Sequence, residues 1–143
     1  MSYKSEYPAG VHVDPEIKSF FENFYAISDT PGDHDKYVDQ FTPDATFVLA
    51  SNKSTGHEQI KQMRLGMWAN VTSRKHTIPK IAPLSDTELL LYGTVAFELK
   101  SGDKAALDWA GRAEIEKSSG DGKWRFKFYQ VYLDTGALNA YKK

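Results

Sequence analysis

The chain contains no cysteine in its 143 residues. That single absence removes disulfides, thiolate nucleophiles and cysteine-ligated zinc. No apolar run approaches the roughly 20 residues that a membrane-crossing helix needs. The opening MSYKSEYPAGVHVDP lacks the apolar middle of a secretory leader. Neither sign of charge is in excess, with 18 basic side chains against 19 acidic ones. Nucleic-acid binding calls for a basic face threaded with aromatics, and the sequence supplies none. Metal-ligand spacings are missing too: there is no His-x-His or Glu-x-x-His pair, and HEQ at 57–59 lacks a second histidine. A nucleophile elbow and a phosphate-cradling glycine loop are also absent. The expectation is a soluble cytoplasmic protein with no membrane or nucleic-acid partner.

What remains is a sequence rich in material for a core. Hydrophobic residues make up 41% and aromatics 13%, enough for one packed domain. Residues 1–13 are polar and punctuated by Pro and Gly, and read as a flexible arm. Asp14-Pro15-Glu16 then carries the marks of a helix start: an N-cap, a proline at the first helical position and an early acid. Ile17, Phe20, Phe21, Phe24 and Ile27 follow at helical spacing, and SDTPGD ends the run. A short second helix is expected over 35–41, with Tyr37, Val38 and Phe41 inward.

An apolar strand is expected over 45–51. Thr55 and Glu58 then form the pattern of a capping box for a third helix, whose inner face reads Ile60, Met63, Met67, Trp68 and Val71. Four strands close the chain, over about 74–82, 87–100, 105–117 and 123–134, joined by turn sequences. Residues 135–143 read as a tail. Helices segregated from a run of antiparallel strands give an α+β class. Strands this long curl strongly around helices, leaving a conical hollow.

In SRKHTIPK, Arg74, His76 and Ile78 share one side of a strand. His76 is the one histidine of four with a case for facing inward; His12, His34 and His57 fall in the arm, a turn and a first helical turn. It is either a strand histidine satisfied locally or an imidazole oriented by an acid. Leu107, Trp109, Gly111 and Ala113 alternate with Asp108, Arg112 and Glu114, and Gly93, Val95 and Phe97 alternate with polar neighbours. Tyr25, Phe47, Leu49 and Trp68 are further wall candidates. Gly111 either leaves room for a ligand ring or marks a bend. Gln130 and Tyr132 share a face of the last strand with Trp124, and a bulge decides whether that face points inward. Such a wall suits a hydrophobic, cyclic small molecule.

The element order, with FxxFY in the first helix, FTPDATFVL into the first strand, TGHEQI opening the third helix and GDGKWRFKFYQVYLD near the end, resembles the NTF2-like superfamily. Within it the chain is similar to SnoaL-like, scytalone-dehydratase-like and ketosteroid-isomerase-like proteins over 14–134. The resemblance implies a cone-shaped, cystatin-like fold: three N-terminal helices on a strongly curved, mostly antiparallel sheet. It also implies a homodimer through the outer sheet face and chemistry that needs neither metal nor organic cofactor.

Scytalone-dehydratase-like enzymes pair an Asp after the first helix with a His early in a strand, and Asp29 and His76 stand at those places. The positions matching the two water-activating tyrosines read Ser28 and Leu49, and Leu49 also stands where ketosteroid-isomerase-like enzymes keep their base. Two functions follow. One is an isomerase, cyclase or dehydratase acting by acid–base chemistry on a polyketide- or terpenoid-like ring. The other is a ligand-binding or dimeric assembly module that has lost the catalytic set.

Overall fold

Asp14 accepts the Glu16 N–H at 2.8 Å and so caps the first helix, α1 (Pro15–Ser28). The computed structural model describes residues 3–137 of the chain, so residues 138–143 of the tail expected over 135–143 lie outside the described residues. Helix α1 buries Ile17, Phe20, Phe21, Phe24, Tyr25 and Ser28. The Phe24 ring meets Phe126 edge-on at 4.7 Å and Tyr129 at 5.8 Å. Each aromatic sequestered in this way contributes about 2 kcal/mol or more through lost water contact.

The single-turn helix α2 (His34–Val38) is shorter than expected, because Phe41 already belongs to the strand β1 (Phe41–Leu49). Ala50, at φ 54, turns the chain into a strand the sequence does not announce, β2 (Asn52–Thr55). Its residues are polar and short, and backbone pairing to β1 defines it. This strand also overturns the capping box. Thr55 pairs with Thr46 and donates its N–H to Gln59 Oε1 at 2.9 Å, so Gly56, at φ 83, becomes the N-cap of α3 (His57–Trp68). The buried residues of α3 are Ile60 and Arg64, while Met63 and Met67 are only partly covered and Val71 starts the next strand.

Four long strands follow: β3 (Val71–Pro83), β4 (Glu88–Leu99), β5 (Lys104–Lys117) and β6 (Trp124–Leu133). The six-stranded sheet runs in the order β2-β1-β6-β5-β4-β3, with β1 parallel to β6 and every other pair antiparallel. The α+β class and the mostly antiparallel curved sheet are as expected.

Two bulges set which side chains face inward. In β3 the register passes from Thr77↔Thr94 to Lys80↔Tyr92, so Ile78 and Pro79 both lie against Gly93. A Cβ on Gly93 would sit 1.9 Å from the Thr77 carbonyl oxygen; glycine is required there. In β6 the pairing passes from Glu114↔Phe128 to Ile115↔Phe126, leaving Lys127 unpaired. Phe126 and Tyr129, three apart, therefore stack on the same inner face at 4.6 Å.

Over its described residues, the segment expected as a loose arm is tied along β3. Glu6 donates its N–H to Pro79 O at 2.9 Å and accepts from Ile81 N at 3.0 Å, and the Ser5 hydroxyl donates to Ile78 O at 2.6 Å. No helix among the described residues is long and apolar enough to cross a membrane.

Candidate active site

The inner face of the sheet, α1 and the end of α3 enclose a cavity of about 550 Å³. Its wall carries His76, placed there by the inward pleat of β3 above the bulge. The imidazole lies 5.1 Å from the Tyr25 ring and 5.8 Å from the Trp109 ring, centroid to centroid.

Asp29, the C-cap residue of α1, reaches His76 from the other side of the chain. Its Oδ1 lies 2.6 Å from His76 Nδ1, and its Oδ2 accepts the His76 backbone N–H at 2.8 Å. Tyr3, from the arm, donates its hydroxyl to Oδ2 at 2.9 Å. The Arg74 Nε stands 3.6 Å from Oδ1. Burial pushes the Asp29 carboxyl up, yet the hydrogen bonds and charge of His76, with the Tyr3 hydroxyl, hold it below the usual carboxylate value. An ionised Asp29 can only accept, so Nδ1 carries the proton and Nε2 keeps its lone pair. For His76, burial is the largest influence and lowers its pKa, outweighing the opposing pull of Asp29. The ring is therefore held neutral, where a carboxylate partner alone would favour the charged form.

A second polar pair lies nearby. The Tyr25 and Tyr129 hydroxyls share one hydrogen bond at 2.6 Å, and both rings line the cavity. One of the two O–H groups is the donor in that bond, which leaves the other O–H available. Burial raises both phenols well above their ordinary pKa, so they act as donors and not as proton-transfer acids.

Two arginines support this end of α1. Arg64 is fully buried and donates to the carbonyls of Ile27, Ser28, Thr30 and Gly32 and to His34 Nδ1. Arg74 donates through Nη2 to Ser28 O and, at 2.9 Å, to Ser28 Oγ. Alternation puts Arg74 on the side of His76 but does not show what it holds, and Arg64 was not legible as an inner residue, because a base on a helix reads as solvated.

Of the wall candidates, Tyr25, Phe47, Leu49, Val95, Phe97 and Trp109 line the cavity with His76. Four others do not. Trp68 packs beside Arg74, 4.8 Å from ring to guanidinium, outside the lining. Gly111 faces inward, but the Tyr129 ring fills its space: a Cβ there would meet Tyr129 Cε1 at 3.1 Å. Gln130 and Tyr132 lie on the outer face beside Arg112 and Ala110, because the β6 bulge turns Tyr129 and Val131 inward instead. Among the described residues no group of three or more His, Asp or Glu could hold a metal ion.

No family model and no curated protein sequence matches the chain. Solved structures do. A proposed aromatic ring hydroxylase from Novosphingobium aromaticivorans superposes with a TM-score of 0.74 at 20% identity, over 84% of this chain and 87% of that one. A proposed scytalone dehydratase from the same organism gives 0.73 at 18% identity, over 84% and 83%. A hexachlorocyclohexane dehydrochlorinase, LinA type 2, gives 0.67 at 13% identity, over 83% of each chain. At these identities the likeness is one of fold, and it extends to NTF2 from Cryptosporidium parvum. The chain has the NTF2-like, cystatin-like fold.

Proposed function

We propose that the protein is an acid–base lyase or isomerase of hydrophobic, cyclic small molecules, with His76 as its base. The observation that carries this reading is the 2.6 Å contact of His76 Nδ1 with buried Asp29 at the wall of an apolar cavity. His76 Nε2 takes a proton from a substrate carbon next to an electron-withdrawing group. In elimination, the C–H electron pair becomes a C=C bond. A hydroxyl on the adjoining carbon then leaves with its own pair, taking the proton back from His76 as water. In isomerisation the pair is held as an enolate, and His76 returns the proton at a second carbon. Asp29 fixes the tautomer and stabilises the transient imidazolium, as an oriented carboxylate does in other acid–base sites. The available O–H of the Tyr25–Tyr129 pair hydrogen-bonds the oxygen on which charge develops. Neighbours of the same fold bear the names dehydratase and dehydrochlorinase, both eliminations, which supports the class and not the substrate.

The test is carbon-bound hydrogen exchange. 2-Tetralone, a cyclic aromatic ketone, is incubated in D2O with the protein and followed by mass spectrometry. Wild type should accelerate exchange and His76→Ala should not, with the fold intact by circular dichroism. Equal rates in the two would remove the mechanism. A second reading, a binding module, is favoured by Leu49 and Ser28 at places where related enzymes carry chemistry; it requires ligand binding without exchange or turnover. Either reading includes a homodimer through the outer sheet face.

A further inference from the structure

We propose that the cavity takes hydrophobic organic anions, with Arg74 receiving the anionic group. The argument begins with what lines the space. Among the described residues, no Asp or Glu side chain borders the cavity. Its two formal charges are both cationic: Arg74, 8% exposed on the wall, and Lys100, exposed in the turn after β4. His76 is held neutral, and Asp29 lies behind it, outside the lining.

Arg74 is also poorly matched by the protein. Its Nη2 is used on Ser28, but its Nη1 is opposed only by the Met67 sulfur at 3.9 Å. Its Nε is buried without a hydrogen bond. The nearest carboxylate oxygen, Asp29 Oδ1, is 3.6 Å away and is engaged at 2.6 Å by His76. Arg74 is not needed to cap α1 either, since Arg64 already donates to four carbonyls beyond and within its last turn. Arg74 therefore shares its nearest carboxylate oxygen with His76, which holds it more closely. A buried cation with incomplete partners is costly unless something else completes them. A carboxylate, phenolate or enolate oxygen seated on Nη1 does so with a charge-assisted hydrogen bond.

The placement is consistent with use. Arg74 and His76 are alternate residues on one face of β3, and Arg74 pairs with Phe97 while His76 pairs with Val95. Arg74 is thus one pleat nearer the end of β3 that abuts Leu99 and Lys100, where the exposed lining residues gather. An anion drawn past Lys100 meets Arg74 with its apolar body against Trp109, Val95 and Phe97. This proposal rests on the proposed function only in taking the bound anion for the substrate.

Two fluorescent probes test it: 8-anilinonaphthalene-1-sulfonate, and N-phenyl-1-naphthylamine, the same ring system without the sulfonate. Wild type should bind the sulfonate at least about tenfold more tightly, the effect of one charge-assisted hydrogen bond. Arg74→Gln should erase that preference while leaving the neutral probe within about twofold. Arg74→Lys should retain part of it, and serves if the glutamine variant does not fold. Equal affinities in wild type, or a preference that survives Arg74→Gln but vanishes in Lys100→Gln, would overturn the proposal. His76→Ala should keep the preference. Lost exchange in that variant alongside equal probe affinities sinks this inference alone. A kept preference with undiminished exchange sinks the catalytic reading alone.

Discussion

At the scale of the residue, the unusual feature is a neutral imidazole beside an ionised acid. Burial lowers the His76 pKa and partners lower that of Asp29, so both changes favour the same state, His neutral and Asp charged. A depressed histidine pKa keeps the base in its working form below the ordinary imidazole range of about 6.5. The acid limb of the exchange rate against pH should therefore fall below that value, and a limb above it would contradict the burial argument. The linked effect on stability has the same direction. The folded state favours the neutral ring and the charged carboxylate, so stability is fully present above the ordinary pKa values. It is lost on acidification, first through His76 and then through Asp29, and a series of urea midpoints across pH checks the order. Asp29→Asn removes the charge and turns one of the two accepting oxygens into a donor, so the tautomer is no longer fixed. It should lower the exchange rate by about 10²–10⁴ with substrate affinity little changed, since an orienting carboxylate acts mainly on the rate. A loss confined to KM would assign Asp29 to binding instead.

At the scale of the element, β3 and α3 show how a site is held. The β3 bulge keeps Ile78 and Ile81 both buried and presses the Thr77 carbonyl over Gly93. Gly93→Ala places a Cβ 1.9 Å from that oxygen, so the bulge must shift and His76 with it. A loss of about 2 kcal/mol or more in denaturant stability, with loss of exchange activity, is expected. Arg64→Met leaves the end of α1 without its shared donor, at a cost of about 2–4 kcal/mol read from the urea midpoint. Helix α1 and the four long strands were legible because their apolar spacings are long and regular. The strand β2 was not, since Asn52, Lys53 and Ser54 carry no apolar alternation and only the β1 ladder creates it. The fold was legible through element order; the pairing of Asp29 with His76 was legible only through resemblance, since 47 residues separate them. Arg64 stayed hidden, and the role of Arg74 with it, because nothing in their neighbours signals that helix-end carbonyls await them. Tyr129 stayed hidden because one unpaired residue, Lys127, changes the face of all that follows it.

At the scale of the whole molecule, the sheet has a second face, turned away from the cavity. Tyr92, Ala110 and Tyr132 form one cross-strand row, and Leu90, Arg112 and Gln130 the next. Leu90, Tyr92 and Tyr132 are 42%, 48% and 52% exposed, large side chains in adjoining rows around the small Ala110. Arg112, paired with Glu88 and Glu114 at 3.0 Å each, gives the patch a polar edge. An apolar centre with an ion-paired margin is the anatomy of an interface. A second copy is the occupant favoured here, because a row running across several strands can meet its own image about a twofold axis. Sedimentation equilibrium should therefore give twice the 16.1 kDa chain mass. Tyr132→Glu puts a charge within the patch and should give a monomer. Because Tyr132 points away from His76 and the cavity lining, that monomer should keep its circular dichroism and its affinity for the anilinonaphthalene probe. A wild-type chain that sediments as a monomer at tens of micromolar would assign the exposed tyrosines to the surface alone. A monomeric Tyr132→Glu that also loses the probe would show instead that the two faces of the sheet are coupled.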